Sequence, residues 1–337
     1  MQPTSWILLT VSALISSVPF PSHAQVPQPG QSRPASMTPY KFKAAADHAT
    51  FEWFFLLVDA GKDKNIWAKY GLDPEFVPAA GSSAQLKEHV DAGIKLGFIN
   101  AAEVTLARSK GVPVKTIAAY FGETTARIFV AANGPVKTAS ELDGRKIGIV
   151  ATTHTSYRTV LYMNKKLAIK AEPVALGSLS NNVAALKSGQ IDAFYSAEGA
   201  ALALVDTGVL KLLLPLSDIY PKPYTAVVVW TTDDLAEREP DLVMKFVKAT
   251  LEIVGYLKAH PGYARDLYVK RTGAPQNVAD RAVASLNQIL TSAGRGSGQD
   301  LAAAVAGNWK FMTESGAVAA NTTVKMEEVV DARFLPP

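Results

Sequence analysis

The chain alternates short β-type runs with segments of helical periodicity from about Lys41 to Trp230, and this alternation restricts its fold more than any other feature. Each helical segment follows a β-type run within a few residues, as βα units require. Such a pattern is typical of a parallel α/β architecture. We predict ten strands, at residues 41–45, 75–78, 95–99, 114–120, 127–131, 146–150, 173–176, 191–195, 210–214 and 226–230.

Helices are predicted in most of the gaps, at residues 83–92, 156–167, 181–188 and 197–205. After Trp230 no further strand is predicted. Pro240 is expected in the first turn of a long helix, a position that suits proline. The apolar residues of this helix recur at spacings of three and four, from Val243 to Leu257, so one of its faces should be buried.

Residues 86–100 and 186–196 form a weak internal duplication, because both run helix, glycine, short strand, polar residue, helix. Both copies end a strand with polar groups at a helix N-terminus. In open α/β sheets, ligands bind in the crevice outside the carboxyl ends of the strands. Two such lobes that face each other would therefore form a ligand cleft.

The composition excludes several classes of function. The 337 residues include 34 Lys and Arg against 30 Asp and Glu, and the net charge of +4 is spread without a long run of like charges. A nucleic-acid-binding tail would show as such a run, so no nucleic-acid partner is expected. The chain has no cysteine, which excludes disulfides, thiolate metal sites, iron–sulfur clusters and a cysteine nucleophile.

The N-terminus has the pattern of a signal peptide. Residues 7–18 are apolar or small, a run too short for the roughly 20 apolar residues of a membrane span. Ser22-His23-Ala24 is a small-x-small triplet, and we expect cleavage after Ala24, which gives a signal peptide at residues 1–24. The Pro/Gln/Ser-rich residues 25–39 are read as a linker. A buried N-terminal helix is the alternative, but such a linker would detach it.

No catalytic motif is found. The sequence lacks His-Glu-x-x-His, Gly-x-Ser-x-Gly, a P-loop and Gly-x-Gly-x-x-Gly after a strand. Ser156 near His154 is the one local pairing of a nucleophile with a base, and at two residues apart along a helix start the two side chains are not expected to face each other. We therefore expect no catalytic residue, metal site or cofactor.

Thr152, Thr153, His154 and Thr155 are candidate ligand contacts. They lie between the strand at residues 146–150 and the helix that begins near Ser156, so hydroxyls and unpaired N–H groups collect at a positive helix end. This arrangement suits an anion. The alternative is a helix cap with a solvated His154.

Further candidates lie at the strand ends of the first half of the chain. Gly81-Ser82-Ser83 repeats the arrangement, since glycine lets a ligand approach the backbone and serine caps the helix, although capping alone would explain Ser83. Asn100 and Glu103 follow the strand at residues 95–99, and Tyr120 ends the strand at residues 114–120.

Five segments in a characteristic order give a family resemblance: residues 65–72, 81–83, 111–115, 141–149 and 188–193. Together they resemble the type-II periplasmic substrate-binding proteins of ABC importers. The branch concerned includes sulfonate, taurine, nitrate and thiamine-pyrimidine binders. The resemblance runs from about Lys41 to Leu290.

The resemblance implies a two-lobed α/β fold with two crossovers and a ligand cleft that closes by hinge motion. The crossovers are expected near residues 131–135 and 221–225. Residues 40–133 and 226–337 would form the first lobe, and residues 134–225 the second.

The resemblance also implies site residues. Phe51, Glu52 and Trp53 occupy the place of the first ligand contacts, and one of the two aromatic rings could stack on a planar ligand. Helical spacing with Phe54 and Phe55 gives the alternative of an ordinary core stripe.

Two residues of the second lobe are expected at the cleft. Glu198 matches a position that the family often fills with an acid. It could accept hydrogen bonds from a ligand amine, or it could cap the helix predicted to start at Ala197. Tyr224, beside the second crossover, could latch a closed cleft or pack in the hinge.

The sequence thus predicts a periplasmic, monomeric solute-binding protein that passes a small polar ligand to an ABC transporter permease. An organic anion or sulfonate-like compound is expected first, and a heteroaromatic amine such as a pyrimidine precursor second. The alternative is a ligand-sensing or interaction module that uses the same fold without transport.

Overall fold

Ten strands form two five-stranded sheets in the part of the chain that the structure, a computed structural model, describes. That part comprises residues 39–47, 52–79, 82–122, 124–290, 298–319 and 321–335, so the predicted signal peptide lies outside it. Each of the ten predicted strands overlaps an observed one, which confirms the β pattern. The strands are β1 (Tyr40–Asp47), β2 (Leu72–Ala79), β3 (Leu96–Asn100), β4 (Val114–Phe121), β5 (Arg127–Ala131), β6 (Lys146–Ile149), β7 (Glu172–Ala175), β8 (Ala193–Ser196), β9 (Leu210–Pro215) and β10 (Val227–Thr232).

The two sheets have the same topology. The first sheet has the order β2-β1-β3-β10-β4 and the second sheet has the order β7-β6-β8-β5-β9. In both, three neighbouring strands are parallel and the fourth is antiparallel. The duplication predicted from residues 86–100 and 186–196 is therefore present as two copies of one architecture.

The antiparallel strand of each sheet comes directly after the chain crosses between the sheets. β5 pairs with β8 and β9, and β10 pairs with β3 and β4. The chain changes sheet between residues 121 and 127, and returns between residues 215 and 227. Residues 127–131 thus belong to the second sheet, and the boundary predicted at residue 133 falls one strand too late, because the sequence of a buried strand does not encode which sheet it joins.

Thirteen α-helices connect and cover the sheets within the described residues, and none of them is long and apolar enough for a membrane span. The long helix predicted from Pro240 begins there and buries Val243, Phe246 and Val254 on one face. The helices are α1 (Glu52–Asp63), α2 (Ile66–Lys69), α3 (Ser83–Asp91), α4 (Ala101–Ser109), α5 (Thr155–Leu167), α6 (Leu179–Lys187), α7 (Ala200–Asp206), α8 (Asp233–Arg238), α9 (Pro240–Ala259), α10 (Pro261–Thr272), α11 (Gln276–Leu290), α12 (Gly298–Glu314) and α13 (Met326–Val329).

An aromatic core holds α9 against the first sheet. The Phe246 ring stacks on Trp67 and on Phe98, with both centroid separations at 5.2 Å. Phe76 stacks on Phe98 at 5.9 Å. Such ring pairs add stability beyond the apolar area that they bury, so this part of the fold is a rigid support for the strand ends above it.

A second aromatic group lies where the chain returns to the first sheet. We call Tyr162, Tyr220, Tyr224 and Phe311 the hinge cluster; the rings of Tyr220 and Tyr224 are 4.9 Å apart, and Tyr220 is also 4.9 Å from Phe311. It joins α5, the returning segment and α12. Tyr224 packs within this cluster, so the two alternatives predicted for it, a latch of the cleft and packing in the hinge, concern the same location.

Gly307 brings α12 close to the returning segment. A Cβ atom at this position would overlap the carbonyl oxygen of Pro223. One residue further on, the Asn308 side chain donates to the Thr225 carbonyl oxygen at 2.9 Å. Because Gly307 has no side chain, α12 can pack directly against the backbone of Pro223, and Asn308 can then hydrogen bond to Thr225.

We expect Gly307→Ala to lower the free energy of unfolding by about 1–3 kcal/mol, because the added methyl group must displace backbone. Gly255→Ala is the matched control, since Gly255 is also helical but faces open space; there alanine should add about 0.5–1 kcal/mol. Urea unfolding of the two variants measures both effects. Equal stability of the variants would contradict the close contact.

Candidate functional site

Polar residues at the carboxyl ends of strands from both sheets meet on one side chain, Glu103. It lies in the first turn of α4, which follows β3, and none of its surface is exposed. Its Oε2 accepts the backbone N–H of Ser83 at 2.9 Å, at the start of α3 after β2. Its Oε1 accepts the Thr155 hydroxyl at 3.3 Å and an N–H of Arg158, both from α5 after β6. Three candidates, Ser83, Glu103 and Thr155, are thus brought together across the two sheets.

Arg158 is the functional residue that sequence reasoning missed. Its side chain is 12% exposed and ion-paired with Glu103, and its second terminal nitrogen donates to the Thr153 carbonyl oxygen at 3.4 Å. A signal was present in the sequence: α5 has no acid in its first turn, and an arginine near a helix N-terminus opposes the helix dipole. An arginine at this position is unfavourable unless an acid from outside the helix pairs with it, and here that acid is Glu103.

The ionisation of Glu103 reflects two opposing effects. Burial raises the pKa of the Glu103 carboxyl, whereas the Arg158 guanidinium, the Ser83 N–H and the Thr155 hydroxyl lower it. When the pKa of a carboxyl is higher in the folded than in the unfolded protein, the free energy of unfolding falls as the pH rises from the unfolded pKa to the folded pKa. Arg158 limits this loss, because it stabilises the charged form.

Buried tyrosine hydroxyls lie near this ion pair. Burial raises the pKa of the Tyr224 hydroxyl far above its usual range; the charge on Glu103 adds to the shift and a hydrogen bond with Asn100 opposes it. Burial likewise raises the pKa of Tyr195 and of Tyr220. The Tyr220 hydroxyl lies 2.5 Å from the Thr159 hydroxyl. All three phenols are therefore protonated near neutral pH.

The turn between β6 and α5 corrects one prediction. His154 is the N-cap of α5, and its Nδ1 accepts the Ser156 N–H at 3.0 Å and lies 2.9 Å from the Ser156 hydroxyl. The expectation that these two side chains do not face each other was wrong, because a cap residue has extended backbone rather than helical backbone. Ser156 is fully buried and its oxygen accepts the Val150 N–H at 3.1 Å, so the pair fixes the turn. His154 is also buried, not solvated as the capping alternative supposed.

The other residues near the strand ends have mixed roles. Thr152 and Thr153 are exposed in the same turn. Ser82 caps α3 by accepting the Gln85 N–H at 3.2 Å, and Asn100 caps α4 through the Ala102 N–H at 3.0 Å. The residue that caps α3 is thus Ser82 and not Ser83, and the Ser83 N–H donates to Glu103 instead.

Glu198 lines a surface groove of about 820 Å³ between α6 and α7, together with Val150, Ser178, Lys187 and Leu204. α7 begins at Ala200 with Gly199 as its N-cap. The helix predicted to start at Ala197 therefore begins beyond Glu198, and Glu198 is not its N-cap residue. The helix starts later because residues 193–196 are taken up by β8.

The remaining candidates are divided between the core and the undescribed positions. Tyr120 is buried in β4, its ring 5.3 Å from Phe98, so the ring serves the core. Phe51 and Gly81 lie outside the described residues. Glu52 and Trp53 are in α1, and their side chains likewise lie outside what the structure describes.

No group of three or more His, Cys, Asp or Glu side chains that could hold a metal ion occurs in the described ranges. The chemistry that the site offers is hydrogen bonding and charge: carboxylate, guanidinium, phenols, hydroxyls and backbone N–H groups. The arrangement is suited to holding a small polar molecule between the sheets.

Solved structures share the fold at low sequence identity. The periplasmic aliphatic sulphonate binding protein SsuA from Escherichia coli has a TM-score of 0.68 and 18% identity, over 86% of this chain and 91% of SsuA. The alkanesulfonate-binding protein SsuA from Xanthomonas axonopodis pv. citri, bound to MOPS, has a TM-score of 0.60 and 18% identity, over 74% of this chain and 85% of that protein. The chain has the periplasmic binding protein fold that the resemblance implied.

Sequence comparison identifies the family. The NMT1/THI5 like family model matches residues 55–264, more than half of the chain, and the chain belongs to this family. The riboflavin-binding protein RibY of Chloroflexus aurantiacus is 25% identical over 178 residues, which cover 52% of this chain and 50% of RibY. The chain thus spans about half the length of this curated relative.

We expect Arg158→Met to lower the free energy of unfolding by about 3–5 kcal/mol at neutral pH, because it leaves Glu103 buried without its cation. Arg238→Met removes an exposed pair with Asp234 and should cost less than about 0.5 kcal/mol. Denaturant unfolding measures both changes.

The loss in Arg158→Met should also depend on pH. Without the guanidinium the pKa of Glu103 rises further, so the folded protein retains the proton and the loss should be smaller near about pH 5 than near about pH 8. A loss of the same size at both pH values would contradict a charged Glu103 as its cause.

Proposed function

We propose that this protein is a periplasmic solute-binding receptor that captures a small polar ligand between the two sheets and passes it to an ABC importer. The observation that supports the proposal is that Glu103, at the start of α4 after β3, receives hydrogen bonds from α3 and α5, the helices that follow β2 and β6. Strand ends from two sheets converge there, at the place where open α/β sheets bind ligands.

The connections between the sheets support a hinge. Two segments cross, at residues 122–126 and 216–226. Each sheet with its helices would then form a lobe, as the sequence predicted for residues 40–133 with 226–337 and for residues 134–225, now with β5 in the second lobe. A ligand that contacts both lobes favours the closed state in proportion to its differential affinity.

Similar proteins bind sulfonates, the first ligand class predicted from the sequence, and riboflavin, a heteroaromatic compound that is not the predicted pyrimidine precursor. SsuA proteins are sulfonate binders, and RibY is a riboflavin-binding protein. We propose a sulfonate-like anion and a heteroaromatic ring compound as the two classes to test. The site residues proposed to contact the ligand directly are the exposed Thr152 and Thr153 with Thr155, Asn100 and Tyr224.

The first experiment is native mass spectrometry of the full chain expressed with its N-terminus intact and purified from a periplasmic extract. We expect a mature protein that begins at Gln25 and carries a small molecule released on denaturation. Small-angle scattering should then show compaction when the stripped protein rebinds it. Retention in the cytoplasm would contradict the periplasmic location, and binding without compaction would favour a sensing or interaction module.

Thr153→Val tests the exposed turn. We expect about a five-fold loss of affinity for the released molecule by calorimetry, since one hydrogen bond contributes about 1 kcal/mol. Thr207→Val is the control, because Thr207 is exposed at the end of α7, and its affinity should match that of the wild type. Equal affinities in all three proteins would remove Thr153 from the site.

A further inference from the structure

Glu103 and Arg158 neutralise each other at the centre of the candidate site. The carboxylate is completely buried, and the guanidinium is nearly so. Both terminal nitrogens of Arg158 are directed to acceptors of the chain itself, Glu103 and the Thr153 carbonyl oxygen. The positive charge is therefore already matched before any ligand arrives.

Of the described residues that contact Glu103, Arg158 carries the positive charge, whereas Ser83 and Thr155 are neutral donors. The residues named from the sequence include the glutamates Glu52, Glu103 and Glu198 and neither lysine nor arginine. His154 uses Nδ1 as an acceptor for the Ser156 N–H, which corresponds to the uncharged ring. An anion that approached Glu103 and paired with a cation there would have to take Arg158 away from it.

That exchange is unfavourable, because it would leave a buried carboxylate beside a second negative charge. A buried ion that loses its partner is strongly destabilised, and like charges repel more strongly away from water. An uncharged or cationic ligand with N–H donors avoids the problem, since it can hydrogen bond to the phenols, hydroxyls and carboxylate without competing for Arg158.

We propose that Glu103 sets the charge selectivity of the site: by neutralising Arg158 it excludes anions and restricts the ligand to uncharged or cationic compounds. The inference rests on the proposed function and narrows it, since it disfavours the sulfonate-like class. It makes Glu103 a specificity-determining residue, while the ion pair with Arg158 also contributes to the contact between the two sheets.

The test uses benzenesulfonate and benzenesulfonamide, which have closely similar shapes and differ in charge. Calorimetry with the mature wild-type protein should show that sulfonamide binds at least about ten-fold tighter than sulfonate, or that sulfonate binding is undetectable. In Glu103→Gln, sulfonate affinity should rise by at least about ten-fold, because Arg158 becomes available to it. Glu75→Gln is the control, since it removes the same charge from an exposed position on β2 and should behave as the wild type.

Arg158→Gln provides the reverse test. It leaves Glu103 without its cation, so the affinity for benzamidinium should rise while sulfonate remains excluded. Sulfonate binding as tight in the wild type as in Glu103→Gln would overturn the proposal, and so would the lack of any gain in Glu103→Gln. If neither variant folds, the pair is purely structural and the proposal is wrong.

These outcomes are separate from the fate of the proposed function. Reversed charge selectivity without compaction on binding would contradict a transport receptor and leave the role of Glu103 intact. Compaction on binding of a released sulfonate would support the receptor and overturn the charge selectivity.

Discussion

The chain passes from the first sheet to the second before β5 and returns before β10, and these two crossings determine where the polar strand ends lie. β5 and β10 can take their places only if the chain crosses the gap twice. The crossings hold the two sheets with their strand ends toward each other. Polar residues that follow β2, β3 and β6 then meet at Glu103, and the hinge cluster forms where the second crossing returns.

The facing strand ends bring a carboxylate into a place that water does not reach. Glu103 requires donors there, and it obtains them from α3 and from α5, which belong to different sheets. The ion pair with Arg158 is therefore both a contact between the sheets and a property of the binding space. Under the proposed function, a ligand that enters would have to accommodate this pair, so the charge balance of the protein would limit the chemistry of the ligand.

The sequence predicted the elements well because their signals are local. Strand runs, the proline at the start of α9, the capping serine before α3 and the duplicated helix–strand–helix units are all set by neighbouring residues. The sheet to which β5 belongs and the pairing of Glu103 with Arg158 are not local, since the latter residues are 55 positions apart. Several candidates lie at strand ends as predicted, but their contacts were not predictable from the sequence. Ser82 caps a helix while the neighbouring Ser83 contacts Glu103. His154 faces Ser156 because a cap residue does not have helical backbone.

One face of α5 connects the site with the hinge. Thr155, Arg158, Thr159 and Tyr162 recur at the spacing that places side chains on a single helical face. The first two contact Glu103, Thr159 contacts Tyr220, and Tyr162 donates to the Ile219 carbonyl oxygen at 3.0 Å and packs on Phe311. A change in the contacts of Glu103 therefore acts on the same rigid helix that packs in the hinge cluster, and a ligand need not touch the hinge in order to bias it.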